Sequence, residues 1–217
     1  MKRQISVILG TLLASALHAA SGSALPLGFG CITGNIAGDC AIGEAQLSVD
    51  VTDLGGGQVL FMFSNAGPSA SSITDVYFDD GTLLGIAGLI DADDNALGPF
   101  GDLGVDFSQN ASPPNLPGGN LVGFQTTAGF LADSDPPAQP NGVNPLESLG
   151  IVFNLQLGGS FADIVNELTT GALRIGIHVQ GFGTGGSESF VNVPVPEPGT
   201  ALLLGLGLGV LGLRRRA

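Results

Sequence analysis

The fold is decided by residues 46–64, which read Gln-Leu-Ser-Val-Asp-Val-Thr-Asp-Leu-Gly-Gly-Gly-Gln-Val-Leu-Phe-Met-Phe-Ser. Apolar and polar side chains alternate at first, and Phe61 and Phe63 later share one face. Alternation with a period of two is typical of β-strands that have one buried and one solvated face. Three consecutive glycines separate the two runs and favour a turn. The stretch therefore predicts a β-hairpin.

Alternation of the same kind recurs at residues 149–157 and 173–180, and weaker strand candidates cover residues 73–78, 83–86, 103–107, 121–124 and 190–193. One segment instead predicts a helix, because Ser160 can cap its start, Asp163 follows three residues later, and Gly171 ends it. Strands greatly outnumber helices. The sequence thus predicts a mostly β fold, an antiparallel β-sandwich of jelly-roll type with one short helix.

Between residues 111 and 145, prolines and glycines recur and predict long irregular loops. Such loops often form the binding rim of a sandwich. They can equally be flexible insertions, and the sequence does not decide between the two.

The acidic stretch 91–102 could bind a cation. Asp91, Asp93, Asn95 and Asp102 occupy positions 1, 3, 5 and 12 of a loop resembling the calcium loop of an EF-hand. Ala96 replaces the usual glycine at position 6, and no pair of amphipathic helices flanks the loop. A looser calcium site and a solvated acidic loop are therefore both open, and no other cofactor is expected.

Charge excludes one class of partner. The chain has 217 residues and a formal net charge of −13, and between residues 25 and 193 Arg174 is the only basic side chain. Eighteen carboxylates against one arginine give this region a formal charge of −17. Nucleic-acid binding is excluded, because phosphate recognition needs lysine and arginine.

Cys31 and Cys40 are the only cysteines, and we expect them to form a disulfide in an oxidising compartment. A metal or redox pair is the alternative, but the spacing is not Cys-x-x-Cys and no histidine is nearby. Enzyme motifs such as Gly-x-Ser-x-Gly, a phosphate-binding loop or His-Glu-x-x-His are absent from the sequence. A Ser-His-Asp arrangement around His178 and a pair of carboxylates stay open, yet the expectation is that the protein is not an enzyme.

Both ends of the chain look like targeting segments. Lys2 and Arg3 precede an apolar run and then small residues up to Ala24, the layout of a secretory signal peptide that uses the Sec export machinery. At the other end, residues 195–200 read Val-Pro-Glu-Pro-Gly-Thr and lead into the apolar run 201–213, which arginines follow. As a helix, residues 200–213 would span about 21 Å, short of a bilayer core of about 30 Å.

This carboxyl end resembles the PEP-CTERM sorting signal. The resemblance rests on Pro196, Glu197 and Pro198, on the hydrophobic helix expected after them, and on the cluster Arg214, Arg215 and Arg216. It implies an exported protein that its tail tethers transiently to the inner membrane. It also implies an exosortase-type membrane protease as partner, and a final place at the cell surface or in the extracellular matrix. Such signals are often linked with exopolysaccharide and biofilm matrix.

The sequence therefore divides into a signal peptide (1–24), an exported β-sandwich domain (25–193) and a sorting tail (194–217). The interpretation favoured is a non-catalytic structural or adhesive protein of the cell envelope or matrix. The alternative is a secreted carbohydrate-active hydrolase or sugar-binding module that uses carboxylates on its loops.

Overall fold

The computed structural model describes residues 24–79, 84–90 and 104–194. In these parts of the chain three α-helices accompany ten strands. The helices are α1 (Ala37–Gln46), α2 (Ala138–Asn141) and α3 (Phe161–Thr170). The strands are β1 (Ala24–Cys31), β2 (Leu47–Gly55), β3 (Gln58–Asn65), β4 (Ser72–Asp79), β5 (Leu84–Ile90), β6 (Phe107–Gln109), β7 (Leu131–Ser134), β8 (Ser148–Leu155), β9 (Arg174–Gln180) and β10 (Glu188–Pro194).

Hydrogen bonds join all ten strands into one antiparallel sheet in the order β5-β8-β3-β2-β1-β10-β9-β4-β7-β6. The predicted hairpin is confirmed, since β2 pairs with β3 from Leu47 opposite Asn65 to Gly55 opposite Gln58. The mostly β, antiparallel prediction is also confirmed. Instead of the two packed sheets of the expected jelly-roll sandwich, the described strands form one curled sheet.

Phenylalanine contacts show how strongly the sheet curls. Strands β3 and β4 are five positions apart in the sheet, which would be about 24 Å if the sheet were flat. Yet the ring centroids of Phe61 and Phe78 lie 5.3 Å apart, and Phe78 lies 4.7 Å from Phe153 of β8. All three side chains are fully buried. The two halves of the sheet thus share one aromatic core.

Helix α3 confirms the sequence prediction. Ser160 and Asp163 form a capping box, and Gly171 ends the helix with φ of 78°. Ile164 and Leu168 are buried in the core, as the spacing of apolar residues requires. No helix in the described parts of the chain is long and apolar enough to cross a bilayer.

The prediction of a single helix is wrong, because α1 and α2 are also present. Helix α1 contains Gly38 and Gly43 and has little apolar periodicity, so nothing local favoured it. Its support is remote in the chain: the Glu188 carboxylate accepts a hydrogen bond from the Ile36 amide at 2.6 Å, just before the helix. The strand predicted at residues 121–124 is wrong, because residues 121 and 122 belong to a short 3-10 helix at Gly119–Val122, which Gly123 ends.

Gly43 explains how α1 packs so closely on β10. A Cβ atom at this position would lie 2.2 Å from Cζ of the buried Phe190 ring. A Cβ at Gly38, in the same helix, would meet nothing within 4 Å. Close approach of the helix to the sheet therefore requires glycine at one position and not at the other.

We predict that Gly43→Ala lowers the free energy of unfolding by about 1–3 kcal/mol, because overpacking outweighs the better helix propensity of alanine. The matched control Gly38→Ala should raise it by up to about 1 kcal/mol. Urea denaturation of the exported protein measures both values. Equal effects of the two substitutions would show that α1 does not pack against Phe190 in this way.

Candidate functional site

The predicted cation and sorting residues fall outside the described part of the structure. This applies to the four calcium candidates Asp91, Asp93, Asn95 and Asp102, and to the motif and arginine cluster after Pro194. The calcium site therefore stays a prediction.

The predicted disulfide between Cys31 and Cys40 is present, with Cα atoms 5.4 Å apart. Cys31 ends β1 and Cys40 lies in α1, so the disulfide joins a strand to a helix. The sulfur atoms and a Glu188 oxygen lie within 4.8 Å of one another. Because both sulfurs are in the disulfide, neither offers the thiolate that a metal site needs.

Glu188 organises the segment between these cysteines. Its carboxylate is fully buried and accepts hydrogen bonds from the amides of Asn35 (3.0 Å) and Ile36 (2.6 Å), and from the Thr33 hydroxyl. A buried carboxylate needs such donors to offset its lost hydration. Sequence analysis missed this residue, since it is distant in the chain from every group that it contacts.

A set of polar side chains lies on the face of the sheet opposite the phenylalanine core. Four polar residues are paired across neighbouring strands: Asp133 of β7 faces Asp75 of β4, Asp75 faces His178 of β9, and His178 faces Ser189 of β10. We call this set the polar row. Side chains alternate along β4, so Val76 and Phe78 enter the core while Tyr77 packs with Leu116 and Phe124 on the other face.

Asp75 and Asp133 form a hydrogen-bonded pair of carboxyl groups. Asp75 is buried and also accepts a hydrogen bond from the Thr74 hydroxyl at 2.8 Å, while the Tyr77 hydroxyl lies 3.2 Å from its Oδ1. Asp133 accepts from the Ser112 amide at 3.3 Å. Tyr77 Oη also lies 3.1 Å from the Pro113 carbonyl oxygen. Tyr77 and Asp133 therefore connect the proline-rich loop to the sheet.

Burial and mutual repulsion govern the protonation of this pair. Burial raises the pKa of Asp75, and burial together with the charge of Asp75 raises the pKa of Asp133 to about 6. The pKa of Tyr77 is also raised, mainly by burial and then by the charge of Asp75. Below a pH of about 6 the pair therefore holds at least one proton.

This geometry differs from that of a glycosidase. Retaining and inverting glycosidases keep their two carboxyl groups about 5 Å or more apart, to leave room for the sugar or for water. Asp75 and Asp133 touch each other, and Asp75 is only 3% exposed. As described, they cannot flank a glycosidic bond.

His178 and Ser189 do not complete a catalytic triad in the described structure. His178 Nδ1 lies 3.0 Å from the Ser189 hydroxyl oxygen, but Ser189 is fully buried and beyond the reach of a substrate. Burial lowers the pKa of His178, and the charge of Glu188 opposes this only in part. Among the described residues, no carboxylate hydrogen-bonds to His178, as a triad would require.

Arg174 has a structural role, because its side chain links strand β4 to a neighbouring loop. Its guanidinium pairs with Asp79, donates to the carbonyl oxygens of Val122 (2.9 Å) and Gly123, and lies 5.3 Å from the centre of the Phe124 ring. These contacts hold the loop at residues 122–124 against β9, on the same face of the sheet as Tyr77.

We predict that Asp133→Asn raises the melting temperature at pH 7 and flattens its dependence on pH. The native pKa of Asp133, about 6, lies above its ordinary value of 3.8. The native state therefore binds protons more tightly than the unfolded state, so this stabilisation is complete below pH 4 and is lost as the pH rises through 6. Thermal denaturation between pH 4 and 7 measures the effect.

Asp50→Asn is the matched control, since it removes one carboxylate from an exposed position on β2. It should keep most of the pH dependence of the original protein. If both variants flattened the profile equally, general charge repulsion would explain it and the pair would not.

Comparison with known proteins adds one match, at the carboxyl end. Residues 194–216 match the family model described as the PEP-CTERM protein-sorting motif. No curated protein and no solved structure matches the chain. The chain therefore carries a PEP-CTERM protein-sorting motif, which implies an exported protein targeted to an exosortase.

Proposed function

We propose that this is a cell-envelope or extracellular-matrix protein with a non-catalytic structural or adhesive role, released from its membrane tether by an exosortase. The observation that carries the proposal is the matched motif at residues 194–216, in which Pro196, Glu197 and Pro198 precede an apolar run and three arginines. Proline at two positions keeps Glu197 out of a helix and open to a processing enzyme.

The route follows from the order of the segments. The Sec machinery exports the chain, and the apolar run holds it in the inner membrane with its arginines on the cytoplasmic side. Cleavage near the motif then frees a strongly acidic, sandwich-like β domain to the surface or matrix. There, exopolysaccharide is the partner that we propose, and divalent cations would reduce the repulsion among its carboxylates.

Three features of the described residues support the non-catalytic role. The Ser189 hydroxyl is buried, the carboxyl groups of Asp75 and Asp133 are in contact, and Arg174 is engaged with the loop beside it. Each group is used to hold the fold together. A carbohydrate-active hydrolase that uses carboxylates on its loops is the competing proposal; polysaccharide turnover that disappeared on replacing one loop carboxylate would favour it.

We predict that the exported protein is cut near Pro196, Glu197 and Pro198 in cells with an active exosortase, and that the product lacks Arg214–Arg216. Intact-mass analysis of the native protein, with and without the exosortase, measures this. Replacing both motif prolines with alanine should leave the tail uncut, because the motif could then join a helix.

Pro194→Ala is the matched control, since it makes the same substitution two residues before the Pro-Glu-Pro triplet at residues 196–198. It should be processed normally. A protein that kept its arginines despite an active exosortase would contradict the proposal.

A further inference from the structure

An apolar groove lies beside the point at which the described chain ends. Its volume is about 370 Å³, and Ala24 and Leu25 of β1 line it together with Phe161, Ala162 and Val165 of α3. Leu25 and Phe161 are only partly buried and pack against the edge of the main core. The groove is thus an opening at one end of the hydrophobic core.

The sheet places the chain's exit at this same end. Strand β10 runs antiparallel to β1, and Pro194 is paired with Leu27. From Leu27 the strand β1 needs only three more residues, about 10 Å, to reach Ala24 in the groove. Beyond Pro194 the tail therefore starts out towards the groove.

Other apolar side chains stand at this end too. Leu54 lies one residue before the end of β2 and is 46% exposed, and Leu157 lies between β8 and α3 and is 86% exposed. Strand register puts both at the same end of the sheet as Ala24, since Ala24 is opposite Thr52 and Gln58 is opposite Asn154. Leu54 belongs to the strand beside β1, whereas Leu157 follows β8, three strands from β1. In water, such exposed apolar side chains are unfavourable.

We propose that, before the membrane takes up the tail, the apolar segment Ala201–Leu213 of the same chain docks in this groove. The segment has thirteen residues without a charge. Residues 195–200 connect it to Pro194 and can span about 20 Å when extended, which is enough to reach the groove and turn back. The groove covers only part of the segment. A bilayer would bury the whole segment and therefore competes with the groove for it.

This docking does not depend on cleavage by an exosortase. Docking temporarily covers the apolar segment of the exported chain. The groove becomes open again once the tail has inserted into the membrane or been removed.

The test uses the chain from Ala24 to Ala217, with its tail intact, made without membranes and kept dilute. A photoreactive benzoylphenylalanine at position 165 should cross-link to residues 201–213 within one chain, giving a product of monomer mass. The same group in place of Phe161 preserves an aromatic ring and serves if the first variant folds poorly. At Leu146, which is 81% exposed at the opposite end of the sheet, it should give no tail product.

Leu206→Asp should abolish the cross-link while leaving the domain untouched, because a carboxylate would not enter an apolar groove. Either of two results would overturn the proposal: products that join two chains, or the absence of any product containing residues 201–213. Neither result would affect the processing experiment, which reads the mass of the tail in cells.

Discussion

The contact between Phe78 and its partners Phe61 and Phe153 is the constraint on which the rest of the structure depends. These rings come from opposite halves of the sheet and meet within 5.3 Å. Without that contact the ten strands would form a flat sheet with one apolar face in water. Because the sheet curls to bury the rings, its other face is left to carry polar groups. The outer face carries the polar row. On the same face, Arg174 holds the loop at residues 122–124 against the sheet.

The pairing of β10 shows where the folded domain ends and the sorting tail begins. Strand β10 lies in the middle of the sheet between β1 and β9, and it remains paired up to Pro194. The matched sorting motif starts at that residue. The paired part of the sheet therefore ends at the residue where the matched motif begins. Folding of the domain, the proposed docking of the tail and its processing can then occur in this order, and no step depends on a later one.

Sequence patterns predicted the features whose causes are local. The hairpin at residues 46–64 shows its alternation within each strand, and α3 carries its own cap in Ser160 and Asp163. The disulfide followed from having two cysteines in an exported chain. Helix α1 was missed because Glu188 and Phe190, which support it, are far away in the chain. The Asp75–Asp133 pair was missed for the same reason, although a charged residue inside the apolar run 73–78 was a signal that could have pointed to it.

The central claim is that the tail, residues 194–217, directs processing by an exosortase. Attaching residues 194–217 to an unrelated exported domain, and measuring the intact mass of the fusion in cells with an active exosortase, tests this most directly. The account predicts that the fusion loses its three terminal arginines, as we also predict for the native protein. A fusion that stayed uncut in cells that process the native protein would show that the β domain takes part in recognition, and would contradict the account.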